Sequence, residues 1–135
     1  MEGRLTYLSQ QLQNAVSDFL SSLEIDLTAL DSRTSDAVMN GHIQKFEFCI
    51  ELLWKTIRAF LLEIHGYDIS SPKGVLKKYF ELGYVDYETL EALLQGVDLR
   101  NALSHVYKKE LFKEAHDQIV TYGQLFTLIL QKIKV

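Results

Sequence analysis

Residues 100 to 107 read Arg100-Asn101-Ala102-Leu103-Ser104-His105-Val106-Tyr107, which sets a fixed cation, a titratable imidazole and a phenol within two helical turns. A guanidinium stays charged at every physiological pH and offers a planar fork of donors to a phosphate. An imidazole moves a proton near neutrality. Together they equip a chain for phosphodiester chemistry. Arg100 would hold the scissile phosphate and stabilise the charge that builds in the transition state. His105 would act as general base or acid toward a ribose 2′-hydroxyl or the leaving 5′-oxygen. Asn101 would fix the imidazole or touch the phosphate, and Ser104 would support substrate binding. RNA carries its own nucleophile, so this reading calls for no metal and no cofactor.

Geometry constrains the idea. At about 100° per residue, Arg100 and His105 stand roughly 140° apart on a regular helix. Asn101 and His105 share a face at the i,i+4 spacing, as do Arg100 and Ser104. For Arg100 and His105 to converge, the helix must loosen near Ser104, Arg100 must curl sideways, or two copies of the motif must meet across a dimer. A plainer reading also stands: Arg and His are common at helix C-termini, where they satisfy the last carbonyls.

The elements that would position the octet are helical throughout. Leu5, Leu8, Leu12, Ala15, Phe19 and Leu23 recur every three or four residues, the stripe of an amphipathic helix. A bend is expected within residues 27–35, with Thr34, Ser35 or Asp36 capping a long helix from about Asp36 to His65. Phe46, Cys49, Leu53, Ile57, Phe60 and Ile64 line one face of it, and Phe48, Ile50, Leu52, Trp54 and Leu61 fall outside that face. A helix apolar around so much of its circumference is central or sits at a subunit interface. Gly66 marks its stop. Ser71-Pro72 opens a short helix that ends at Gly83. Asp86 caps the helix that leads to the octet, and a last helix runs from about Lys109 to Lys134. No alternating strand pattern occurs. The expected fold is an all-α, up-and-down bundle of about five helices, four forming the core, in one domain over residues 1–135.

The other residue clusters have bland readings. Glu47, Glu51 and Lys55 form an i,i+4 ladder that suits a solvated helix face. Trp54 and Phe48 suit core or interface. The four histidines do not cluster in the sequence, and no Cys pair or His-Glu-x-x-His pattern is present, so no metal is expected. No Gly-rich phosphate loop suggests ATP binding. The single cysteine, Cys49, lies in an apolar run and suits a buried thiol in a reducing cytoplasm. The N-terminal segment lacks the basic-then-apolar order of a signal peptide, and the run from Phe46 to Ile64 carries too many charges to span a membrane, so a cytoplasmic location is expected. With 14 basic and 18 acidic residues the chain is net −4, which excludes coating nucleic acid by bulk charge but not a local grip on one phosphate.

Two stretches carry a family resemblance. Gly41-His-Ile-Gln-Lys-Phe-Glu-Phe-Cys-Ile-Glu-Leu-Leu-Trp-Lys55 resembles the long-helix signature of the nucleotidyltransferase substrate-binding subgroup of the HEPN superfamily. Asp98-Leu-Arg-Asn-Ala-Leu-Ser-His-Val-Tyr107 is similar to that subgroup's Arg-Asn-x-x-x-His-x-Tyr motif. The resemblance implies a helical homodimer whose two motifs line a shared cleft, with Arg100 and His105 as catalytic residues of a metal-independent RNase toxin. It implies a minimal nucleotidyltransferase as antitoxin partner, which silences the toxin by AMPylation of Tyr107. It adds cleft or dimer contacts as a second reading of Glu51, Trp54 and Lys55, beside the structural one. Other members of the subgroup are described as non-catalytic substrate-binding subunits of the nucleotidyltransferase, and that alternative stays open on the sequence.

Overall fold

The computed structural model describes residues 3–103 and 109–133. Among them every regular element is helical. Helix α1 (Gly3–Leu23) buries Leu5, Leu8, Leu12, Val16 and Phe19. Val16, rather than the expected Ala15, continues the stripe. A single 3-10 turn (Leu27–Ala29) follows, and then α2 (Ser32–His65), which is 34 residues long.

The start of α2 corrects the sequence expectation. Its cap is Asp31, whose carboxylate accepts the Thr34 backbone N–H at 2.7 Å, so the helix opens one turn earlier than Asp36. Asp31 sits in extended backbone, the conformation a cap requires, and that lets its short side chain reach three residues ahead. The same hydrogen bond holds its carboxyl below the ordinary carboxylate range. At the other end Gly66 takes a φ of 78° and returns its N–H to the last-turn carbonyls.

Three shorter stretches complete the bundle. Helix α3 (Pro72–Glu81) is capped by the Ser71 hydroxyl, which accepts the Gly74 N–H at 3.1 Å. Helix α4 (Tyr87–Leu103) is capped by Asp86 through the Thr89 N–H at 2.8 Å. The last expected helix is divided into α5 (Lys109–Val120) and α6 (Tyr122–Ile133). At Thr121 both the backbone N–H and the hydroxyl turn back to the Gln118 carbonyl, an alternative to the helical ladder that side-chain hydroxyls offer. Counted as one interrupted helix, α5 and α6 leave the five-helix bundle intact.

The core gathers around α2. Phe46 on α2, Phe19 on α1 and Phe126 on α6 are fully buried, with ring centroids 5.8 Å apart for Phe19–Phe126 and 6.0 Å for Phe46–Phe126. Tyr122 meets Phe46 edge-on at 5.2 Å and donates its hydroxyl to the Ala92 carbonyl of α4 at 2.9 Å, so its one polar atom is satisfied. Cys49 is fully buried, and burial pushes its thiol up to about 12, the state of an inert core residue. One residue departs from the expected core stripe: Ile64 is 57% exposed in the last turn of α2. Phe48, expected outside that stripe in core or interface, is equally exposed and lies outside the core of this chain.

One buried contact has no local signal in the sequence. His42 and His116, 74 residues apart, stack with Nδ1 of His42 and Nε2 of His116 at 2.9 Å. Nε2 of His42 lies 2.7 Å from the Ser22 carbonyl oxygen. Only an N–H can serve a carbonyl, so neutral His42 carries its proton on Nε2, and its Nδ1 accepts from the His116 Nε2–H. The pair pins α5 to α2 and to the last turn of α1. Burial, together with the neighbouring His42, holds the His116 pKa below its ordinary 6.5, with Asp117 opposing.

That depression sets a sign. A His whose folded pKa lies below its unfolded value takes up its proton more readily when unfolded, so stability falls as pH drops below about 6.5. The urea midpoint should therefore be lower at pH 5.5 than at pH 7.5, and His116→Gln should shrink that difference. Two glycines make a second test. A Cβ on Gly41 would meet nothing within 4 Å, whereas one on Gly96 would stand 2.9 Å from Ile50 Cδ1 and 3.0 Å from Tyr122 Cε1. Gly41→Ala should stabilise by about 0.5–1 kcal/mol through helix propensity alone. In Gly96→Ala, overpacking of about 1–3 kcal/mol should meet or exceed that gain, so its thermal midpoint should fall below that of Gly41→Ala.

Candidate functional site

The close approach at Gly96 builds the candidate site. Gly96 lets α4 lie against Ile50, and one turn further along α4 this brings Arg100 beside Glu51. Arg100 Nη2 stands 3.4 Å from Glu51 Oε2. The same carboxylate takes the Trp54 indole N–H on Oε2 at 3.2 Å and the Lys55 ammonium on Oε1 at 3.2 Å. Arg100 Nη1 also reaches the Asn101 side-chain oxygen at 3.4 Å. The expected ladder on α2 is thus present between Glu51 and Lys55, but it also receives a cation from α4.

Electrostatics follow the contacts. Burial alone would raise the Glu51 pKa. The hydrogen bonds from Trp54 and Lys55, and the charges of Arg100 and Lys55, outweigh it and hold the group below its ordinary value. Glu47, one turn earlier, is raised by burial, with Arg100 opposing. Glu51 is therefore ionised at neutral pH, and its partners are the two cations and one neutral donor around it. All three charged side chains remain part-exposed, with 31% of the Glu51 side chain, 36% of Arg100 and 42% of Lys55 open to solvent.

A further tie fixes the register of α4. Asp98, two residues before Arg100, meets Lys73 in the first turn of α3 at 2.6 Å. Of the residues singled out from the sequence, the structure joins Arg100 and Asn101 with Glu51, Trp54 and Lys55. Ser104, His105 and Tyr107 lie outside the described residues.

A second concavity was not legible in the sequence. An open cleft of about 650 Å³ runs between α4 and the α5–α6 break, floored by Ala92, Tyr122 and Leu125 and rimmed by Gln95, Glu114, Asp117, Gln118 and Thr121. These rim residues offer amides, carboxylates and a hydroxyl, with no lysine or arginine among them. That chemistry suits a neutral or cationic polar group and disfavours a phosphate. The Gln118–Thr121 turn that interrupts the last helix is also what shapes this rim.

The two signature stretches therefore meet in space at Glu51 and Arg100. A family model described as nucleotidyltransferase substrate binding protein like matches residues 8–135. The chain belongs to this family. Among solved structures, this member of the nucleotidyltransferase substrate-binding-like family is similar to a protein of Thermus thermophilus. The crystal structure of that protein superposes with a TM-score of 0.79 at 25% sequence identity, covering 92% of this chain and 99% of the other. No curated protein matches its sequence. Among the described residues of this family member, no group of three or more His, Cys, Asp or Glu side chains could hold a metal ion, and no helix is long and apolar enough to cross a membrane.

The Glu51–Arg100 pair should behave as a part-exposed ion pair. A double-mutant cycle with Glu51→Gln and Arg100→Gln, read by urea unfolding, should give a coupling of about 0.2–1 kcal/mol. A coupling well above that range would mark the pair as a structural tie and not as part of an open site.

Proposed function

We propose that the chain is the substrate-binding subunit of a nucleotidyltransferase. It would present a substrate from the face formed by α2 and α4 while the partner performs the transfer. The observation that carries this reading is the family match over nearly the whole chain. The site chemistry agrees with it. Arg100 and Lys55 supply charge for an anionic group, Trp54 supplies an indole edge, and the cleft between α4 and the α5–α6 break offers amides, carboxylates and a hydroxyl among its described residues. These are holding functions. Two copies of the chain would form the working unit. Phe48 and Leu62 stand exposed on the same side of α2 as Glu51 and Lys55, which supports pairing through that helix near the site.

The RNase-toxin reading rests on the residue types of the octet: Arg100 for the phosphate, His105 for the proton, Asn101 and Ser104 in support, and Tyr107 as the AMPylated residue. It differs from the binding-subunit reading in one measurable way, because only a nuclease cleaves alone.

Both are tested in one set of preparations. Co-expression with a minimal nucleotidyltransferase encoded beside this chain should give a complex that co-elutes in gel filtration. Separate elution at micromolar concentrations overturns the binding-subunit reading. The purified chain, with intact mass showing Tyr107 unmodified, should leave RNA intact in EDTA. Cleavage by wild type that His105→Ala abolishes would transfer the assignment to the RNase.

A further inference from the structure

Helix α5 is held unequally on its different sides. Among its described side chains only Ala115, His116 and Ile119 are buried. Between it and α4 lies the open cleft of about 650 Å³, to which α5 contributes Glu114, Asp117 and Gln118. Its far end is the break at Thr121, where the N–H at 3.2 Å and the hydroxyl at 2.8 Å both return to the Gln118 carbonyl. A polar tie joins it to α2 through the buried contact of His116 with His42 at 2.9 Å, and His42 in turn holds the Ser22 carbonyl of α1 at 2.7 Å.

We infer that α5 is a hinged flap over this cleft, turning at Thr121, latched by the His42–His116 contact and released when that pair takes up protons. The inference involves neither Glu51 nor Arg100 and stands apart from the binding-subunit reading. In the sequence α5 begins two residues after Tyr107, so the position of α5 also fixes where the octet must end.

The latch is closed by a proton count. In the neutral pair His116 donates from Nε2 to Nδ1 of His42, and His42 donates from its own Nε2 to Ser22. A first added proton goes to Nδ1 of His116 and keeps both hydrogen bonds, at the cost of a charge in a buried site. A second must go to Nδ1 of His42. It sets N–H against N–H and brings two cations into contact. The released imidazoles meet water and take up both protons freely. Apolar anchorage by Ala115 and Ile119 alone then has to hold α5 in place.

Few charged groups bear on the pair. On α5, Asp117 favours the proton on His116, while burial and the neighbouring His42 of α2 oppose it and prevail. Asp18 of α1 and Lys45 of α2 are bound to each other. On α6, Tyr122 gives its hydroxyl to the Ala92 carbonyl of α4, and Lys132 gives its ammonium to the Tyr84 carbonyl. The latch therefore holds above the ordinary histidine pKa of 6.5 and weakens as pH falls through it.

The experiment follows amide hydrogen exchange of the full chain by NMR at pH 7.5 and pH 5.5. Each rate is divided by that of the same amide in an unstructured peptide at that pH, which leaves the opening equilibrium. In wild type the amides of residues 113–120 should lose protection about ten- to a hundredfold at pH 5.5, for one or two protons taken up on opening. Those of α2 and α4 should lose far less. His116→Leu keeps an apolar side chain at the position and removes the first proton acceptor, so most of the α5 response should disappear. His116→Gln gives the same comparison should the leucine variant not fold, with amide dispersion reporting folding. The flap is overturned if α5 keeps its protection at pH 5.5, or if folded variants respond as strongly as wild type. Equal losses in α1, α2 and α5 also overturn it, because the pair would then act on global stability alone.

Discussion

The constraint on which the architecture depends is the burial of α2. A helix of 34 residues with apolar side chains around most of its circumference cannot lie on a surface, so other helices must wrap it. Helix α1 brings Phe19 against Phe46, α6 brings Phe126 to the same ring cluster, and α3 and α4 also pack against α2. What remains uncovered on α2 is a narrow band that includes Phe48, Glu51, Lys55 and Leu62. The candidate site lies where this band meets the end of α4. Its position is a consequence of how the core is closed.

Gly96 is where packing and site are the same problem. Without a Cβ, α4 approaches until its backbone lies against Ile50 and Tyr122. Ile50 precedes Glu51, and Gly96 stands one turn before Arg100, so the depth of that approach sets the separation of the ion pair. The Tyr122 hydroxyl bond to Ala92, one turn before Gly96, holds the same face of α4, and Lys73 holds Asp98. Arg100 is thus positioned by three contacts that do not involve its own charge. This is the supporting arrangement a binding site needs if its fork of donors is to keep a fixed geometry.

Local signals in the sequence were legible and long-range ones were not. Ser71-Pro72, Gly66, Gly83 and Asp86 mark helix ends through chemistry that acts over three or four residues, and the structure uses each of them. The start of α2 is misplaced in the sequence reading because the six residues from Asp31 to Asp36 include five that can cap, and no apolar periodicity ranks them. The break at Thr121 is hidden because the apolar stripe continues on both sides of it. The pairing of His42 with His116 links residues 74 apart, and that of Glu51 with Arg100 joins two separate helices. The cleft beside α4 escapes the sequence for the same reason, since its rim draws on two helices and the turn between α5 and α6. Glu51 and Lys55 read correctly as a helix pair, and only the packing of α4 shows that the pair is shared.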